Sequence, residues 1–143
     1  IGVTGVQTCA LPISTGGFTA KVGFERLEGN GSIGLQTPLA TLHAFNGWAD
    51  KFLATPPNGL RDFYGDVSYR FGDGSPLKGL LLRGIVHDFD ATQIDLSYGH
   101  EVNLLAVYPI QKNLTVLAKF AHYEADAFSV DTTKGWLQVQ VSF

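Results

Sequence analysis

The chain has no methionine, a single cysteine and only 16% charged side chains in its 143 residues. Lone Cys9 excludes an internal disulfide and any multi-cysteine metal centre. Nowhere do the roughly 18 consecutive apolar residues of a spanning helix occur. Ten Lys+Arg against thirteen Asp+Glu give a formal charge of −3, and the basic residues form no cluster, so no nucleic-acid partner is expected. The beginning carries neither the charged start nor the long apolar stretch of a secretory signal. With no starting methionine, the chain reads as a piece of a longer protein. What is present points to strands. The composition is 45% hydrophobic and 12% aromatic, too apolar for disorder, and 17 glycines exceed the usual share of about 7%.

Residues 1–14 (IGVTGVQTCALPIS) share neither the period nor the composition of the rest of the chain. Their stretch VTGVQTCALPI resembles translated sequencing-adapter read-through, which implies a non-native or disordered segment and leaves Cys9 without functional weight. The folded part is expected over residues 15–143.

From Gly17 onward, polar residues recur two apart within runs of about ten, which is the period of strands. Six strands are expected, over residues 17–27, 61–71, 77–89, 99–109, 114–124 and 134–143. A length of about ten crosses the hydrocarbon of a bilayer when tilted and exceeds the ~5–6 residues common in soluble sheets. Each run has two faces. Leu137, Val139, Val141 and Phe143 oppose Gln138 and Gln140; Phe63, Val67, Tyr69 and Phe71 oppose Asp62, Asp66 and Arg70; Val102, Leu104, Ala106 and Tyr108 oppose Glu101 and Asn103.

Soluble sheets alternate too, so other features carry the choice of medium. Aromatics gather near strand ends (Phe18, Phe71, Phe89, Tyr108, Tyr123, Phe143), as in the girdles of a membrane barrel. Connections 72–76 and 110–113 read as tight, whereas 28–60, 90–98 and 125–133 read as longer, matching the periplasmic turns and outer loops of such barrels. The fold class expected is therefore an all-β, antiparallel, up-and-down transmembrane β-barrel in the bacterial outer membrane. Its last strand, ending on Phe143, resembles the closing strand that the outer-membrane assembly machinery reads. Six strands cannot close a bacterial barrel, and an open edge is not tolerated in lipid, so the chain is expected to be the C-terminal fragment of a larger one.

Loop 28–60 is rich in signals. Thr41 is placed to cap a short helix over 42–52, with Phe45, Trp48, Ala49 and Phe52 on one side and Pro56, Pro57 and Gly59 ending it. Such a helix either folds inward to narrow a pore, with His43, Trp48, Asp50 and Lys51 as constriction candidates, or packs over the barrel mouth. The run QTPLATLHAFNGWADKF followed by TPPNGLRDFY resembles the C-terminal part of the alginate export family of outer-membrane barrels. The similarity extends, less sharply, over about residues 17–143. It implies a parent of about 18 strands that passes an anionic polysaccharide or related solute through the outer-membrane lipid by diffusion, without cofactors. A general or small-solute porin and a soluble lipocalin-like binding protein stand as alternatives.

On the pore side Lys21, Arg70, Arg83 and Lys119 are balanced by Glu25, Asp62, Asp66 and Glu101. Lys21, Arg70, Arg83, Lys119, Asp66 and Glu101 are the solute-contact candidates, and a structural ladder of salt bridges through Asp66 and Glu101 is the alternative. No enzyme is expected: His122 has no serine on its face of its own or the next strand. The four histidines lack metal-ligand spacing. Asp88 and Asp90 lack the further ligands of a calcium loop. The acceptor pattern at Asn113 lies in a tight turn and is discounted.

Overall fold

A computed structural model describes residues 6–36 and 46–142. It contains seven strands, β1 (Val6–Thr15), β2 (Phe18–Leu27), β3 (Leu60–Arg70), β4 (Leu81–Asp90), β5 (Ser97–Gln111), β6 (Leu114–Ala125) and β7 (Thr132–Val141). All pair antiparallel in chain order. The architecture is thus an all-β up-and-down meander, with no helix among the described residues. Among those residues the sheet is open, with β1 and β7 as its edges. Phe143 lies outside the described residues.

Six of the strands are those expected from the period-two pattern, and β1 makes the count seven. It lies in the stretch read as non-native or disordered and pairs with β2 from Thr15↔Phe18 to Val6↔Leu27. The turn between them is made by Gly16 and Gly17, at φ 53 and 87, a region that glycine enters without steric cost. From Gln7 to Thr15 the side chains of β1 are exposed. Its backbone ladder, rather than packing, holds it in place.

Two local expectations are corrected. Residues 46–52 form turns, not the end of a helix; Thr41, His43 and the rest of 37–45 lie outside the described residues. Asn46 and Asp50 adopt φ 53 and 61, and Gly47 φ 84. These left-handed values break a right-handed helix, so the Asn-Gly turn signal outweighs the helical spacing of Trp48, Ala49 and Phe52. The connection expected to be tight at 72–76 runs instead over 71–80. Nested turns fill it, Ser75 N to Gly72 O (3.1 Å) and Lys78 N to Ser75 O (3.1 Å), closed by Phe71 N to Leu80 O (2.9 Å). It shares one end of the sheet with Gly16–Gly17 and 112–113. The connections 28–59, 91–96 and 126–131 share the other, so the alternation of short and long fails at 71–80.

The two faces are inverted relative to a water-soluble sheet. On one, Asp62, Asp66, His87, Glu101 and Asn103 are buried; on the other, Phe63 is 57% and Leu137 77% exposed, with Val67, Val86, Val102, Leu104 and Val139 exposed beside them. Burial of the polar face comes from segment 46–60, which lies across it. Trp48, Ala49 and Phe52 pack there with Leu27, Leu60, Phe89, Tyr98 and Tyr123. Phe52 sits 4.5 Å from the Phe89 ring centroid and 5.2 Å from that of Phe128. Phe89 and Tyr123 are therefore core residues of the polar face and not part of an outer aromatic girdle, whereas Phe18 and Tyr108 are exposed. The strand termini alone do not distinguish the two locations; side-chain parity does.

Gly23 faces Tyr64 across β2 and β3, and a Cβ there would lie 2.1 Å from Tyr64 Cζ. Gly23→Ala is expected to destabilise the sheet by about 1–3 kcal/mol through overpacking. Gly74→Ala, where a Cβ meets nothing within 4 Å, is expected to leave stability unchanged. Urea midpoints in detergent micelles compare the two.

Candidate functional site

Strand register stacks the polar side chains in rows. Nearest the long loops, Glu25 faces Asp62; next come Tyr64, His87 and Glu101; then Lys21, Asp66 and Asn103; then Ser68, Arg83, Lys119 and Trp136; and last Arg70. Carboxylates thus occupy the rows at the loop end, and cations those at the turn end.

The acids at the loop end are engaged by the inward segment. Asn46 Nδ2 donates to Glu25 (2.8 Å) and Asp62 (3.2 Å). Asp62 also meets His87 Nδ1 at 2.9 Å, and the His87 ring stacks on Phe89 at 5.4 Å. Glu101 Oε1 accepts the backbone N–H groups of Trp48 (2.5 Å) and Ala49 (2.8 Å). Farther along, Asp50 accepts from Lys134 at 2.9 Å, and Lys51 donates to Ser129 at 3.0 Å. The segment 46–52 is consequently a strap tied to β2, β3, β5 and β7.

Below the strap, Asp66 accepts a forked pair from Arg83 Nε (2.9 Å) and Nη2 (2.7 Å), with Lys21 at 3.4 Å. Such bidentate geometry is the strong form of the contact. Lys119 lies over the Trp48 ring at 4.4 Å and the Trp136 ring at 5.4 Å, with the Asp50 carboxylate of the strap as its electrostatic counterpart. Cation–π contact holds an ammonium in place without cancelling its charge. A cavity of about 460 Å³, partly open to water, lies between strap and sheet, its charged lining made by Lys21, Arg83 and Lys119 with Glu25, Asp62 and Asp66.

Of the solute-contact candidates, Lys21, Asp66, Arg83 and Lys119 come together at this cavity. Arg70 does not; it is exposed at the turn end, with Nη1 3.4 Å from Gly79 O. Glu101 is buried beneath the strap and bonds to backbone, so the salt-bridge ladder forms at Asp66 and not at Glu101. Trp48, Asp50 and Lys51 do reach the polar face; His43 lies outside the described residues. Asn46, Tyr64 and His87 were not singled out in the sequence. The Asn-Gly turn and the parity of His87 with Phe89 were the available signals, but register between strands was not. His122, on the apolar face, bonds Thr133 at 2.8 Å. No cluster of metal ligands occurs among the described residues.

The fold and faces define a class, an antiparallel up-and-down sheet of β-barrel-like kind whose covered side is polar and whose bare side is apolar. No family model, curated protein or solved structure matches the chain.

Asp66→Ala leaves Arg83 and Lys21 without their carboxylate. Because both cations are about a third exposed, the expected loss is about 1–2 kcal/mol, below the ~3–5 of a fully buried pair. Arg83→Lys, which cannot fork, is expected to lose part of that amount. Denaturant midpoints of the two variants and the parent measure the difference.

Proposed function

We propose that the chain is part of a bacterial outer-membrane β-barrel channel of alginate-export type, through which an anionic polysaccharide or related solute diffuses. The observation that carries this reading is the inversion of the faces. A soluble barrel of lipocalin type fills its interior with side chains such as Phe63, Val67, Leu104 and Leu137 and turns its charges outward; here those residues are exposed and Asp62, Asp66 and Glu101 are buried. Acyl chains are the medium in which such a bare apolar face is stable. Along β5 the exposed apolar side chains run from Val102 to Ile110, a rise of roughly 20 Å at a ~40° tilt, near the roughly 25 Å apolar band of outer-membrane barrels.

Support for an anionic solute comes from the order of the charged rows. Glu25, Asp62 and Glu101 are engaged by Asn46, His87 and the strap backbone, Lys21 and Arg83 share the carboxylate of Asp66, and Lys119 rests on the Trp48 and Trp136 rings. Formally the cavity lining still balances, Lys21, Arg83 and Lys119 against Glu25, Asp62 and Asp66; what supports an anionic solute is that the cations gather in the rows at the turn end while the acids of the loop end are already hydrogen-bonded. A second reading, a porin for small solutes, is favoured by the cavity itself, because about 460 Å³ falls within the ~300–1,000 Å³ of small-molecule sites. Further strands to close the sheet, surrounding lipid and recognition of the final strand by the assembly machinery belong to both readings; catalysis belongs to neither.

In planar bilayers the complete protein is expected to conduct, to be blocked by added polyuronate, and to lose that block at high salt as screening grows. Arg83→Gln and Lys119→Gln are each expected to weaken the block. Solubility without detergent, together with an absence of conductance, would refute the membrane reading; conductance without block would leave the small-solute porin.

A further inference from the structure

We propose that Glu101 is a positioning residue whose carboxylate locks the strap inside the channel mouth, so that one buried acid on β5 sets the width of the passage. The inference rests on the channel reading above. Three observations support it.

First, Glu101 is 1% exposed and one of its oxygens accepts two successive backbone N–H groups, from Trp48 and Ala49, at 2.5 and 2.8 Å. Those donors belong to a segment about fifty positions earlier, between β2 and β3, so the contact joins the strap to a strand two places beyond β3 in the sheet. Second, the strap backbone is bent to deliver them. Asn46 and Asp50 hold left-handed φ values of 53 and 61, sparsely populated for residues with a side chain, and Gly47 between them has φ 84. A Cβ on Gly47 would stand 2.4 Å from Glu101 Oε2. Third, the arrangement is poor as a stabilising device. Glu101 Oε2 meets no donor in full hydrogen-bond geometry, although the Asn103 side chain, itself 0% exposed, adjoins the carboxylate. A buried acid left half satisfied costs stability that an apolar residue of similar volume would not. Holding a segment at one depth is a task for which a directional acceptor is suited and an apolar contact is not.

The remaining ties lie at the flanks. Asn46 reaches Glu25 and Asp62 on one side, and Asp50 reaches Lys134 on the other. Glu101 holds the middle, where Trp48 is placed over Lys119. Without its carboxylate two buried N–H groups lose their acceptor, and the centre of the strap is expected to lift toward water.

The test uses the complete protein in bilayers and micelles, with Glu101→Leu, which removes both acceptor oxygens at similar volume, and Glu101→Gln, whose amide oxygen can still accept the Trp48 and Ala49 N–H groups. Two quantities are read: the size of the largest neutral polyethylene glycol that enters the pore, and acrylamide quenching of Trp48 in a Trp136→Phe background. Glu101→Leu is expected to raise the polymer cut-off and increase Trp48 quenching, and Glu101→Gln to stay near the parent in both. Increased quenching with an unchanged cut-off overturns the proposal, since the strap would then be held by Glu101 without limiting the passage. No change in either quantity for Glu101→Leu overturns it outright. Absence of current from every variant sinks the channel reading, and the width claim with it, while Trp48 quenching still reports whether Glu101 holds the strap.

Discussion

Burial of carboxylates on one side of the sheet is the constraint on which the remaining structure depends. A strand offers every second side chain to that face, and the rows so formed bury Asp62, Asp66 and Glu101 and partly bury Glu25. An isolated buried carboxylate is costly, and each is met differently. Asp66 takes the Arg83 fork, Asp62 takes His87, and Glu25 shares Asn46 with Asp62. Glu101 takes two backbone N–H groups from a segment remote in sequence. The last of these ties the longest connection to the sheet, and the aromatic core forms where that connection lands.

The strap also orders the charge. By engaging acids at the loop end, it sets Glu25 and Asp62 at one end of the cavity beneath and leaves Lys21, Arg83 and Lys119 gathered about Asp66 toward the other. Lys119 keeps its position through Trp48 and Trp136, so a strap residue helps place a cation. In the channel proposed above, width and electrostatics would therefore be properties of one segment, and a substitution that shifts its depth would shift both.

Much of this was legible in the sequence. Period-two alternation located six strands and assigned Phe63, Val67, Leu104 and Leu137 to one face and Asp62, Asp66, Arg83 and Glu101 to the other, because side-chain parity follows from strand geometry alone. Parity does not disclose register, so the meeting of Arg83 with Asp66 was open and the partnership of Glu101 with Trp48 and Ala49 was invisible. The helical spacing of Trp48, Ala49 and Phe52 competed with an Asn-Gly turn, and the turn prevailed through φ values that no helix allows. Proximity of Phe89 and Tyr123 to strand ends suggested a girdle; their parity, shared with His87 and Glu101, sends them to the core instead. β1 was hidden because its exposed side chains carry no amphipathic pattern, and its ladder is made of atoms common to every residue.

Tyr64 reclines over Gly23, with Lys21 Nζ 5.1 Å above the ring and His87 beside it at 5.6 Å. Flush rather than upright, the phenol paves that stretch of wall. Were the proposed channel to pass a polymer, a paved surface would let it slide from one shallow minimum to the next where a standing ring would catch each successive unit; the smallest residue in the sheet decides which of the two this wall presents.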